Sequence, residues 1–217
     1  MVVSKTVIRK DGQKTRQKIL TQAEKLFATQ GYGKTMAKDI AQKAGVDLAS
    51  INYHFGSKDG LYQAVLADAH HHIIDMDELK DIASQPIDAE EKFKLLITML
   101  CRLSFDEKGQ YAQLLAREVL SPTSHLSVLF SEEVAPKVEI IKDIIRDVAN
   151  LPKDSPLLLP AVVNIMAPCL MLLVSKNLIT SPIHPLHNIS TSQLANYLYT
   201  FTLAGLNSVK SMSIKNH

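Results

Sequence analysis

Residues 44–62 read AGVDLASINYHFGSKDGLY, and how this stretch folds decides the reading of the whole chain. Gly45 can take the left-handed conformation that ends a helix. Asp47 is placed to cap a new one, and Gly56-Ser57 breaks that helix again. The helix so bounded, 48–55, is barely two turns long, yet it holds a tyrosine and a histidine side by side. Ile51 and Phe55 stand four apart, hence on one face, and are assigned to the core. Ala49, Ser50, Tyr53 and His54 are left on other faces. A Tyr-His pair on a short helix is ordinarily a half-buried structural pair, but here the apolar positions account for the core without it.

Working outward, Thr35 sits where an N-cap is wanted, ahead of a short helix through Ala44 with Ile40, Ala41 and Ala44 inward. Before it, KTRQKILTQAEKLFATQ predicts a helix starting near Asp11, with Ile19, Leu20, Ala23, Leu26 and Phe27 on one apolar face. Gly31 is its stop. Two short helices joined by a tight glycine turn form a helix-turn-helix, whose second helix lies in the DNA major groove. The outward residues suit that task. Ala49 offers a methyl for thymine, Ser50 a hydroxyl, and Tyr53 and His54 donors on aromatic bodies. Lys58, opening the next helix, can meet a phosphate with its charge and the helix N-terminus. Thr35 and Lys38 can do the same at the front of the bracing helix.

Composition agrees. The chain has 217 residues, 46% of them hydrophobic and only 8 glycines, enough to bury a core. No run of alternating β-branched residues stands out, so the class is all-α. Net charge is only +2, but residues 1–60 hold eleven Lys and Arg against five Asp and Glu, while 61–217 hold thirteen against seventeen. A basic front end points to a polyanion partner there alone. Cys101 and Cys169 form neither a CxxC pair nor a disulfide framework, and residues 1–17 hold no signal-type apolar stretch. A reducing, cytoplasmic home is expected.

LFATQGYGKTMAKDIAQKAGVDLASINYHFGSKDGLY resembles the DNA-binding domain of the TetR family of bacterial transcriptional regulators. The match is carried by Phe27, Gly31-Tyr32, Thr35, Asp39-Ile40-Ala41, Gly45-Val46, Tyr53-His54-Phe55, Ser57-Lys58 and Leu61, and INYHFG resembles a branch that includes the CecR-like regulators. The resemblance implies an N-terminal three-helix DNA-binding domain (1–60) and a larger helical ligand-binding and dimerisation domain (61–217). It further implies a homodimeric repressor or activator that leaves a palindromic operator when a small molecule binds. Family DNA contacts carry over to Thr35, Lys38, Ser50, Tyr53, His54 and Lys58. Met36, Leu48 and Asn52 depart from the family pattern, which leaves the operator sequence open.

Beyond residue 60 the pattern predicts helices over 58–82, 88–106, 108–120, 125–150, 156–179 and 190–212. PLLLPAVVNIMAPCLMLLVSKNLI carries no charge between Asp154 and Lys176, close to the length of a membrane span. Pro160, Asn164 and Pro168 argue against one, and a helix apolar all round can be buried on every side. Leu170, Leu173, Leu194, Leu198, Phe201 and Gly205 are expected at the dimer interface. Phe93, Met99, Cys101, Phe105, Tyr111, Arg117, Asn164 and Met166 are expected as effector-pocket walls. For Asn164 a bent core helix serves equally well, and for Arg117 so does a surface pair with Glu118. Consecutive His70–His72 point about 100° apart on a helix and cannot all bind one ion, so no metal or other cofactor is expected, although a metal-responsive regulator remains an alternative. No GxSxG, HExxH or phosphate-cradling glycine loop is present, so an enzyme is not expected. A protein-binding helical adaptor is the remaining alternative.

Overall fold

The computed structural model describes residues 4–104, 110–175 and 182–214, and every regular element among them is helical. Helix α1 (Ser4–Gln30) starts ahead of the expected Asp11. It buries Ile19, Leu20, Ala23, Leu26 and Phe27 as the spacing predicts. Each large side chain so buried contributes about 1.5–3 kcal/mol over its exposed state. Helix α2 (Ala37–Ala44) ends on Gly45 at φ 67°, ψ 38°, the left-handed corner that turns the chain into α3 (Leu48–Phe55). Asp47 caps α3, its carboxylate accepting the Ser50 N–H at 2.7 Å. Ser57 Oγ accepts the Gly60 N–H at 3.0 Å in the first turn of α4 (Lys58–Ile73). A Cβ on Gly60 would lie 2.1 Å from the Phe55 carbonyl oxygen, so only glycine lets α4 start this close to the end of α3.

Two expected long helices are divided. The helix predicted over 58–82 stops at Ile73, and Asp75 caps α5 (Met76–Ser84) by accepting the N–H groups of Asp77 and Glu78 at 2.8 and 2.9 Å. After α6 (Ala89–Ser104) and α7 (Gln110–Leu120), the helix predicted over 125–150 is a short α8 (Leu126–Leu129), a π turn (Phe130–Val134) and α9 (Ala135–Ala149). Pro136 has no N–H to offer the turn before it, which accounts for the widened register. α10 (Leu158–Ser175), a 3₁₀ turn (His184–Asn188) and α11 (Thr191–Ile214) complete the order.

The chain packs as two units, one of Met1–His70 with Gln110–Phe130, the other of His71–Gly109 with Ser131–His217. In the first, α1 packs against α2, α3 and α7. This packing boundary differs from the functional division expected at residue 60, because α4 continues into the first unit and α7 joins it. In the second unit α6 is central, against α5, α9, α10 and α11. Phe93, Leu96, Ile97, Ile144, Ile145 and Leu158 form the heart of its core. Among the described residues no helix is long and apolar enough to cross a membrane.

Candidate nucleic-acid interface

Two turns of helix leave α3 only one inward face, and Ile51 takes it, fully buried, with Phe55 half-buried beneath the Arg16 guanidinium at 5.0 Å. The opposite face carries Leu48, Ala49, Asn52 and Tyr53, all exposed, with Tyr53 at 84%. These four stand one, three and four residues apart and so share one side. Lys38 and Met36 are exposed at the front of α2. Ser50 is half-buried, its hydroxyl donating to Asp47 at 2.7 Å. That bond, with the Ser50 N–H, holds the Asp47 carboxyl below the usual carboxylate range. His54 is also half-buried, its ring 4.9 Å from that of Tyr53 and beside Gly12 of α1. The outward face is therefore shifted from the expected set: Asn52 and Leu48 belong to it, and His54 sits at its edge.

Two expected contacts are engaged within the protein itself. Thr35 is 0% exposed, and its hydroxyl donates to the carbonyls of Gly31 at 2.8 Å and Leu26 at 3.3 Å. It ties α1 to the loop and does not cap α2, where Met36 precedes the helix without a side-chain cap. Lys58 is half-buried. Its Nζ donates to the Tyr32 carbonyl at 2.8 Å and stands 4.1 Å from the centre of the Tyr32 ring.

Behind the interface lies a polar network that local sequence patterns do not reveal. Tyr62 and Glu118, both buried, are joined by a 2.7 Å bond donated by the tyrosine hydroxyl. The other Glu118 oxygen accepts the N–H and hydroxyl of Thr123 at 2.9 and 2.7 Å. Tyr32 donates to Asp59, and buried His125 meets the same carboxylate at 3.1 Å. The Asp59 bond pushes the Tyr32 phenol up to about 12. The same bond, with His125 and Lys58 nearby, holds Asp59 below its ordinary range. Burial and then the Glu118 bond drive the Tyr62 phenol upward too. Except for the local Glu118–Thr123 bonds, the partners are 27 to 66 residues apart in sequence. What they do is fix α4, and with it the end of α3, against α1 and the 110–130 segment.

The expected effector-wall residues are divided between the two units. Phe93, Met99 and Cys101 are packed in the core of the second unit and Met166 lies half-buried against it, while Asn164 is exposed. Tyr111 and Arg117 belong to the other unit. Arg117 is exposed and donates to the Thr29 carbonyl at 3.3 Å at the end of α1, and its expected partner Glu118 is buried with Tyr62. Phe105 lies outside the described residues. A half-open apolar concavity of about 550 Å³ does occur elsewhere, lined by Pro168, Met171, Leu186, Tyr197 and Phe201 among others.

Of the expected interface residues, Leu170, Phe201 and Gly205 are exposed, Phe201 at 68%. Leu194 and Leu198 are corrected: they are buried with Ala195, Thr202 and Leu206 on the core side of α11. The side chain of Leu173 lies outside those described. Leu159, Val163 and Met171 on α10 and Tyr197 on α11 are exposed as well, and Met171, Tyr197 and Phe201 line the same concavity. Among the described residues no group of three or more His, Cys, Asp or Glu is arranged to hold a metal ion. In the histidine run, His71 pairs with Asp75 at 3.1 Å and His70 is buried.

Comparison with known proteins assigns both halves of the chain. Residues 19–65 match the model for bacterial regulatory proteins of the tetR family. Residues 89–206 match that for the C-terminal domain of the HTH-type transcriptional dual regulator CecR. CecR of Shigella flexneri is 27% identical over 135 residues, covering 58% of this chain and 60% of that protein. The HTH-type transcriptional regulator TtgR of Pseudomonas putida is 39% identical over 62 residues, covering 29% of this chain and 30% of that protein. The matched stretches thus span at most three fifths of those relatives. The crystal structure of the transcriptional regulator FadR from Bacillus subtilis in complex with stearoyl-CoA superposes with a TM-score of 0.67 at 16% identity. It covers 87% of this chain and 98% of that one, a likeness of fold.

Proposed function

We propose that this chain, which belongs to the TetR family of bacterial regulatory proteins and carries a CecR-type C-terminal domain, is a ligand-responsive transcriptional regulator. It binds a palindromic operator as a homodimer, acts as a repressor, and leaves the DNA when a small molecule enters the second unit. The observation that carries this reading is the outward face of α3. A two-turn helix capped at both ends presents Leu48, Ala49, Asn52 and Tyr53 to the outside, and the core has no need of them. Asn52 can bond adenine through both its amide groups, and Leu48 and Ala49 offer apolar contact to thymine methyls. Half-sites with A·T pairs under α3 are therefore favoured. Lys38 supplies a phosphate contact that carries no sequence information.

The homodimer reading rests on the stripe formed by Leu159, Val163, Leu170 and Met171 with Tyr197 and Phe201. Exposed apolar side chains grouped in this way mark an interaction surface. A two-fold axis would pair the patch with itself and set two α3 helices about 34 Å apart, or a multiple of that. The test is selection of genomic fragments by the purified protein, followed by titration of the recovered site against salt. A specific palindrome whose affinity falls steeply with salt is expected. Absence of salt-sensitive DNA binding would favour the adaptor reading instead.

A further inference from the structure

The apolar concavity of the second unit is bounded by α10, α11 and the 3₁₀ turn between them, and its volume of about 550 Å³ falls in the range of small-molecule sites. Buried Leu172, Leu194 and Leu198 form its floor, and Ile183, Leu186 and Ile189 line it from the 3₁₀ turn and its end. Pro168, which has no N–H to give its own helix, also faces it. The exposed Tyr197 and Phe201 rings stand at its rim, nearly parallel at 14° and 6.2 Å apart. No lining residue carries a charge, and besides the Tyr197 hydroxyl the polar group is the Gln193 amide. Gln193 Oε1 accepts the Ser190 N–H at 3.3 Å and the Ser190 hydroxyl at 2.9 Å. This capping arrangement at the start of α11 leaves the amide Nε2 to donate elsewhere.

We propose that this hollow is a ligand site for uncharged aromatic molecules that carry a hydrogen-bond acceptor, and that it defines the effector class. The inference rests on the ligand-responsive reading above and supplies the place and chemistry which that reading leaves open. A carboxylate or ammonium would leave water here with no opposite charge to meet it. A protein segment would bring backbone N–H and C=O groups that two polar side chains cannot satisfy. A flat ring instead meets the parallel faces of Tyr197 and Phe201, and its acceptor meets the Gln193 amide. The interior where effector walls were expected is filled by Phe93, Met99 and Cys101, all buried in the core. Met171, Tyr197 and Phe201 belong both to the hollow and to the exposed apolar stripe. A bound ligand and a second copy therefore draw on the same side chains, which links occupancy to the geometry of the dimer.

The test titrates the full-length protein with prodan, an uncharged naphthyl ketone whose emission moves to shorter wavelength in apolar surroundings. Saturable binding of one probe per protomer is expected, with the matching naphthoate weaker by at least about tenfold. Ile189→Asp puts a charge at an exposed lining position. Gln193→Glu keeps the capping acceptor and removes the amide donor. Each variant, folded by circular dichroism, should bind prodan about tenfold more weakly. No saturable binding by wild-type dimers would mean that a second copy fills the hollow, and would overturn the proposal. So would wild-type affinity in both variants, or a preference for the naphthoate. Operator binding is measured on the same samples. Protein that binds operator but not prodan refutes the ligand site alone, and protein that binds prodan but no DNA refutes the regulator reading alone.

Discussion

Two surfaces of this molecule break the rule that large apolar and aromatic side chains go inside, and they break it differently. On α3 the exposed Leu48 and Tyr53 are interleaved with Ala49 and Asn52, near the exposed Lys38 of α2. On α10 and α11 the exposed set is Leu159, Val163, Leu170, Met171, Tyr197 and Phe201, with the last two rings stacked at 6.2 Å and no lysine or arginine among them. The first pattern suits a partner that offers phosphates, hydrogen-bonding edges and a few methyls. The second suits a partner as apolar as itself. Equal exposure therefore says little; what is interleaved with the apolar groups identifies the partner.

The largest effect should come from breaking the apolar surface. Phe201→Asp would bury an unpaired carboxylate in the dimer and cost about 3–5 kcal/mol. Sedimentation should show monomers, and operator affinity should fall by more than about a hundredfold. Unchanged dimers would mean the stripe has another occupant. Next, Tyr53→Ala and Asn52→Ala should each weaken operator binding by about 1–3 kcal/mol and leave the dimer intact. Lys38→Ala should weaken binding to all sequences alike and reduce the salt slope by about one. If Asn52→Ala discriminated between operator variants as well as wild type does, α3 would not be reading bases through that residue.

Smaller effects should come from the support behind α3. Tyr62→Phe removes one hydrogen bond to a buried carboxylate and should lower stability by about 1.5–3 kcal/mol, read by urea denaturation. The Tyr32 phenol, raised from 10.0 to about 12 in the fold, holds its proton more tightly folded than unfolded. Its contribution is complete below about pH 10 and is lost as pH rises toward about 12. Tyr32→Phe should flatten the fall in melting temperature across that window. An unaltered profile would remove Tyr32 from the network's energetics.

Much of the first unit is legible in the sequence because its signals are local. Gly45, Asp47 and Ser57 act within a few residues of themselves, and Ile19, Ala23, Phe27 and Ile51 announce their faces by spacing. Thr35 misleads because a hydroxyl before a helix has the same pattern whether it caps the helix or donates back to Gly31. The split at Asp75 is hidden because neither glycine nor proline marks it. On α11, apolar residues cover adjoining faces, so spacing alone does not separate the buried Leu194 and Leu198 from the exposed Tyr197 and Phe201. The Tyr62–Glu118 pair spans 56 residues, and no periodicity reports a contact of that range.

The central claim, that the outward face of α3 reads DNA from a two-fold dimer, is tested most directly by footprinting wild-type protein and a Leu48→Ala/Asn52→Ala/Tyr53→Ala variant on the selected operator. Two symmetric protected half-sites centred about 34 Å apart or a multiple of it, lost in the folded, dimeric variant, are predicted. A single protected patch, or one that the triple variant reproduces at the same concentration, would contradict the account.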